Sequence, residues 1–374
     1  MTTTVAPAAP LATGQPQPEV ILRTHELTKR FGARLAVQNL SLEVRRGDVF
    51  ALLGPNGSGK TTTLRMLLGL VWPTDGDIAI FGESFASGAR RQAALRRIGA
   101  VVEQPTFYPY LNARENLRGI ATFAGLSYTN ITRARIAWAL EQVGLASRAN
   151  DAYRKYSLGM KQRLGIAAAL LTDPELVILD EPTNGLDPAG ISEVRALIAR
   201  LAQRGVTVLL SSHLLHEVQQ VCTRVAIIQS GRLVAQGGVR ELLQASRGVL
   251  LTFDQADGAL HAAQALHEAN LPWAPQASYI HTDPAATTAW QLLVSAPHER
   301  AADLNTLLVG AGVTPAEVRR HEASLEHYFL ALTGGAALTS MAPAYSNATI
   351  NADTTSPTTP TSANADADAQ GGQA

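Results

Sequence analysis

Residues Gly54-Pro55-Asn56-Gly57-Ser58-Gly59-Lys60-Thr61 fit the pattern G-x-x-x-x-G-K-[ST]. Such a run holds phosphate. Glycines let consecutive backbone N–H groups curl around phosphate oxygens with no Cβ in the way. A helix that opens inside the run adds its free N–H groups and its dipole, both of which favour an anion. Lys60 is placed to reach the β- and γ-phosphates of a nucleotide, with Thr61 as a Mg²⁺ ligand and Thr62 beside it on the loop. The plainer alternative is a glycine-rich turn ahead of a helix. The chain prefers arginine where positive charge alone is wanted: lysine occurs only at 29, 60, 155 and 161, against 27 arginines. Lys60 is one of those few.

A second group would use what the loop holds. Leu176-Val177-Ile178-Leu179 runs into Asp180 and Glu181. Acids at the carboxyl end of a buried parallel strand stand where open α/β sheets bind ligands. Beside a bound triphosphate, Asp180 would hold Mg²⁺ and Glu181 would polarise an attacking water. The alternative is an acidic turn before Pro182. His213 follows the run Val206–Leu210 through Ser211-Ser212. A neutral imidazole there can bond a γ-phosphate or the water, although a lone loop histidine also serves structural roles.

These groups need a scaffold that brings strand ends together. Strand-like runs fall around Val20–Leu22 and Leu35–Val44, and short apolar runs at Val49–Leu53, Leu176–Leu179, Val206–Leu210 and Val225–Ile228. Continuous apolar runs bounded by turns suit strands buried on both faces of a mostly parallel sheet. Helical patterns lie between them at Thr61–Leu70, Ile131–Val143, Lys161–Leu171, Ile191–Gln203 and Leu214–Val221. The alternation predicts an α/β domain over 19–245.

After residue 245 the pattern changes. Strands at Val249–Phe253 and Trp290–Ser295 alternate with helices at Ala259–Ala269 and Arg300–Ala311, and a last helix is expected at Leu325–Leu332. This reads as a small α+β domain over 246–335. Residues 1–18 lack charge and are proline-rich, and 336–374 hold no Lys or Arg. Neither has the apolar content to offset its ordering entropy, so both are expected to be disordered tails.

Composition narrows the class. The chain has 374 residues, 46% of them apolar, with 31 basic and 31 acidic side chains. A large core is available, and a net charge of zero argues against a nucleic-acid partner. Cys222 is the only cysteine, so no intrachain disulfide exists and a reducing compartment fits. No apolar run reaches the roughly 18 residues that span a bilayer, and no secretory leader is expected.

Taken in order, the motifs resemble those of the nucleotide-binding subunits of ATP-binding cassette (ABC) transporters over residues 20–240. Residues 54–61 resemble the family's Walker A motif and 176–181 its Walker B. Tyr156-Ser157-Leu158-Gly159-Met160 resembles its signature, Asn184-Gly185-Leu186-Asp187 its D-loop and His213 its switch histidine. The resemblance implies a P-loop cassette: a mostly parallel core sheet, an antiparallel β subdomain, and a helical subdomain over about 104–165. It implies ATP and Mg²⁺ as cofactors. Two copies would pair head to tail around two ATP molecules, with a separate integral membrane permease as partner, on the inner face of the cell membrane.

The resemblance also implies roles. Gly54, Pro55, Asn56, Gly57, Ser58, Gly59, Lys60, Thr61 and Thr62 would bind the phosphates. Phe31 would stack on adenine, unless it is an ordinary core aromatic. Ser157 and Gly159 would reach the γ-phosphate of the opposite copy, and Asp187 would link the two sites. Glu181 would be the base and His213 would hold the water. Two departures stand out. The common signature core L-S-G-G-Q has Leu158 for its first Gly and Met160 for its Gln. The position where the family places a glutamine that approaches Mg²⁺ holds Glu103, with Gln104 next to it: either Glu103 makes that contact or the loop shifts by one. Both oddities, with Ser324-Leu325-Glu326-His327-Tyr328-Phe329 near the end, resemble the bacterial drug-resistance and bacitracin or lantibiotic self-protection exporters. Tyr108, Tyr110 and Phe123 either line a groove for the permease or fill the core. The rival reading is a soluble ABC ATPase acting on ribosomes or DNA. The absence of a second Walker A and of heptads before the signature weighs against it.

Overall fold

The computed structural model describes residues 18–103, 105–126, 129–245, 248–271, 277–282, 290–294, 296–321, 325 and 345–346. The chain opens with β1 (Val20–Phe31), β2 (Arg34–Leu40) and β3 (Glu43–Arg45), then β4 (Val49–Leu53) and α1 (Lys60–Leu67). Leu35–Val44, expected as one strand, is two. Thr24 Oγ1 donates to Leu40 O and accepts from Leu42 N–H, so the chain jogs between the two stretches that pair with β1. Helix α1 stops short of Leu70. Gly69, at φ 68, turns the chain and returns its N–H to Met66 O, a left-handed helix stop.

Next come β5 (Asp75–Ile80), β6 (Glu83–Ser84), α2 (Gly88–Leu95) and β7 (Ile98–Val101). Strands β2-β1-β5-β6, with β3 on β1, form an antiparallel sheet. Three helices follow: α3 (Ala113–Phe123), α4 (Asn130–Gln142) and α5 (Leu158–Ala169). A capping box starts α3: Asn112 accepts from Glu115 N–H while Glu115 accepts from Asn112 N–H. Ser157 caps α5 by accepting from Met160 N–H at 3.3 Å, so this helix begins three residues before Lys161.

The rest of the cassette is β8 (Leu176–Leu179), α6 (Pro188–Gln203), β9 (Thr207–Ser212), α7 (Leu215–Val221), β10 (Arg224–Gln229), β11 (Arg232–Gly238) and α8 (Val239–Ala245). The core sheet runs β11-β10-β4-β9-β8-β7, all parallel but for the β10–β11 pair. Its central strands are buried along their whole length. Alternation then assigns each face a layer. Val49, Ala51, Leu53, Val177, Leu179 and Val208 pack with the α3–α6 helices. Phe50, Leu52, Leu176, Ile178 and Leu209 pack with α1 and the antiparallel sheet.

Beyond residue 245 lie β12 (Gly248–Phe253), α9 (Ala256–Ala269), β13 (Ala277–Thr282), β14 (Trp290–Val294), α10 (Ala301–Gly310), β15 (Glu317–His321) and β16 (Tyr345–Ser346). They form a third, antiparallel sheet in the order β15-β12-β14-β13-β16, with a separate core that includes Val249, Leu251, Ala262, Leu266 and Leu304. Of the two expected tails, only Pro18 and Tyr345–Ser346 are described, and the latter pair with β13. The helix expected over Leu325–Leu332 lies outside the described residues except for Leu325, which is buried in the cassette core. Among the described residues, no helix is long and apolar enough to cross a membrane.

Candidate active site

Strands β4, β8, β9 and β7 point the same way, and their carboxyl ends carry the loop from Gly54, the acids 180–181, His213 and Glu103. The phosphate loop is held by backbone contacts that exclude larger residues. A Cβ on Gly54 would stand 2.1 Å from Ile228 O, and one on Gly59 2.6 Å from Ala36 O. Gly59 also sits at φ 106, where a side chain is strained, just as α1 begins.

Lys60 is 4% exposed. Its ammonium donates to Gly54 O at 2.8 Å and Pro55 O at 3.2 Å, and pairs with Glu181 Oε1 at 3.1 Å. Glu181 Oε2 lies 2.8 Å from His213 Nδ1. Thr61 donates to Asp180 Oδ1 at 3.1 Å. Ser211 joins the two acids: it donates to Asp180 Oδ1 at 2.5 Å and accepts from Glu181 N–H at 2.8 Å. Glu181 is held at φ 47, in the left-handed region that non-glycine residues rarely enter, at the point where its carboxylate turns towards Lys60 and His213.

A cleft of about 340 Å³ opens over the loop. Phe31, Arg34 and Ala36 line one side, and Asn56, Gly57, Gly59, Lys60, Thr61, Thr62 and Glu181 the other. Phe31 is half exposed at the cleft edge with Lys29 Nζ 4.9 Å from its ring centre, so it is not a core aromatic. Such an open wall, facing N–H donors and a cation, suits a planar base joined to a phosphate chain.

Other sequence-selected residues lie elsewhere. Neither Ser157 nor Gly159 lines the cleft; both sit at the start of α5. Asp187 caps α6, accepting from Gly190 N–H at 3.0 Å. Glu103, at φ 67, forms an ion pair with Arg65 of α1. Gln104 lies outside the described residues. Tyr108, Tyr110 and Phe123 are all exposed rather than core. Trp72 is 59% exposed with Arg91 stacked 4.2 Å from its ring centre. Sequence reasoning missed Arg34, Ala36 and Ser211. The serine pair just before His213 was the available signal for the last.

The ABC transporter family model matches residues 37–184. The chain is 43% identical over 316 residues to the bacitracin transport ATP-binding protein BcrA of Bacillus licheniformis, covering 84% of this chain and 98% of that one. The chain belongs to the ATP-binding subunits of ABC transporters. As such it is an ATPase whose hydrolysis is coupled to transport. The lantibiotic transport ATP-binding protein SrtF of Streptococcus pyogenes is 39% identical, over 58% of this chain and 90% of its own. A solved ATP-binding subunit of an ABC transporter superposes with TM-score 0.53 at 32% identity, covering 59% of this chain and 91% of that one. The cassette MJ0796, solved as a dimer bound to ADP and Pi, gives TM-score 0.53 at 26% identity, over 59% and 99%. Cassettes of this family bind ATP and ADP.

Proposed function

We propose that this cassette powers a two-component exporter of amphipathic antibiotic peptides, working as a homodimer on the cytoplasmic side of a separate membrane permease. The observation that carries the reading is the Lys60–Glu181–His213 chain of contacts beside Thr61–Asp180, all at one edge of one sheet. Similarity to bacitracin and lantibiotic transport subunits supports the class of cargo.

In this reading the N–H groups of Gly57 to Thr62 and the Lys60 ammonium hold the phosphate chain, and adenine stacks on Phe31. The hydroxyl of Thr61 and the carboxylate of Asp180 are hard oxygen donors 3.1 Å apart, a set that suits Mg²⁺ together with nucleotide oxygens and water. The ion, when bound, neutralises charge on the β- and γ-phosphates. Glu181 takes a proton from water as the water oxygen bonds to the γ-phosphorus and the bond to the bridging oxygen of ADP breaks. ADP and inorganic phosphate leave. A positioned base of this kind supplies about 10²–10⁴ in rate.

Ser157 and Gly159 lie apart from the chain's own cleft, as a head-to-tail pair requires: each signature serves the cleft of the other copy. Tyr108, Tyr110 and Phe123, at 65%, 79% and 87% exposure, offer an apolar surface around α3 for the permease. Purification of the tagged chain from its own host in mild detergent tests the proposal. A stoichiometric polytopic partner and peptide-stimulated ATP turnover in that complex are expected. Ribosomes or nucleic acid arriving in place of a membrane protein would overturn it.

A further inference from the structure

The cleft contains one cation besides Lys60 whose job the motifs leave open. Gly32, at φ 55, turns the β1–β2 hairpin through two residues, and Phe31 and Arg34 are the directly opposed pair that closes it. Directly opposed residues of an antiparallel pair project from the same face. The stacking aromatic and the guanidinium are therefore carried as a unit, and both line the cleft. The guanidinium reaches the phosphate loop: a Cβ built on Gly57 would stand 4.0 Å from Arg34 Nη2. Many arginines of this chain are tied to acids, including Arg23, Arg46, Arg65, Arg97, Arg163 and Arg195. Arg34 pairs with no acid among the described residues. A charged fork over the apex of an anion-binding loop is built to meet phosphate.

We propose that Arg34 binds the phosphate chain of the nucleotide from the hairpin side, as a second cation opposite Lys60, and so couples adenine stacking on Phe31 to recognition of the polyphosphate. The proposal rests on the reading of this cleft as the nucleotide site.

Binding of ADP, ATP and adenosine to the purified full-length chain, by calorimetry or competition at concentrations where it stays monomeric, tests it. Arg34→Ala is expected to weaken ADP and ATP about tenfold, the size of one charge-assisted hydrogen bond, and to leave adenosine unchanged. Arg34→Lys should recover part of the loss and Arg34→Gln none. Unchanged ADP affinity in Arg34→Ala would overturn the proposal. So would an equal loss for adenosine, which would mean that Arg34 only shapes the hairpin. A loss confined to ATP-driven pairing of two copies would also overturn it, by assigning the guanidinium to a partner carboxylate. The underlying reading fails separately: the parent chain would then bind ATP no better than Lys60→Ala.

Discussion

His213 Nδ1 lies 2.8 Å from Glu181 Oε2, although the two residues are 32 positions apart. A carboxylate only accepts, so Nδ1 carries the proton, and in the proposed mechanism Nε2 serves the water and the γ-phosphate. The contact exists because β8 and β9 are parallel neighbours: Leu179, the last residue of β8, lies level with Leu210, and β9 runs on to Ser212, just before His213. Glu181 leaves its strand at φ 47, and Ser211 of β9 holds its N–H.

Glu181→Gln should therefore lower kcat for ATP hydrolysis by about 10²–10⁴ while ATP binding is retained. His213→Ala should lower kcat more than it raises KM if, as proposed, the histidine acts on the reacting water rather than on ground-state binding. Steady-state phosphate release at saturating Mg-ATP measures both. A Glu181→Gln variant that turns over at the parent rate would refute the assignment of the base.

Assembly should depend on surface aromatics that the fold does not need. Replacing Tyr108, Tyr110 and Phe123 together by alanine should leave the melting temperature within a few degrees and basal ATP turnover intact, because all three are exposed. Recovery of the permease with the tagged triple variant should fall. Co-purification equal to the parent's would remove these residues from the interface.

Acid should loosen the back of the sheet through Glu175. Its carboxylate accepts from Arg97 at 2.6 Å and from Arg46 at 2.8 Å, which hold it down from 4.5 to about 2. A depressed carboxyl stabilises the fold above its unfolded value and loses that contribution as pH falls to the folded value. The window is thus pH 4.5 to about 2. In urea titrations across it, the stability gap between parent and Glu175→Gln should be widest above pH 5 and close near pH 2. A gap independent of pH would show that the pair contributes through packing alone. The group is partly exposed, so added salt should narrow the gap.

Cys222 should be chemically silent in the folded chain. It is buried in the core layer beside Val218, and burial pushes its thiol well above the ordinary range, so little thiolate exists to react. Labelling by iodoacetamide at pH 8 should track global unfolding by urea. Rapid labelling of native protein would contradict this placement.

Much of this protein is legible in the residues themselves, where a motif carries its own backbone. The phosphate loop declares itself through glycines that Gly59 and its φ of 106 demand. The strand Leu176–Leu179 declares itself by being apolar throughout, and its acids follow directly. The start of α3 is also written in the residues, in the capping pair Asn112 and Glu115. Each of these is settled within a few residues, where local sterics and hydrogen bonds dominate.

Only the tertiary structure decides the rest. Ser211 joins Asp180 to Glu181 because β9 lies against β8, and no spacing in the chain encodes that neighbour order. Arg34 and Gly57 meet because the antiparallel sheet folds over the loop. Glu103 pairs with Arg65 across 38 positions, and Glu175 finds Arg46 across 129. Such contacts form only after layers pack and loop-closure entropy has been met, so their partners are chosen by sheet order and burial rather than by local pattern.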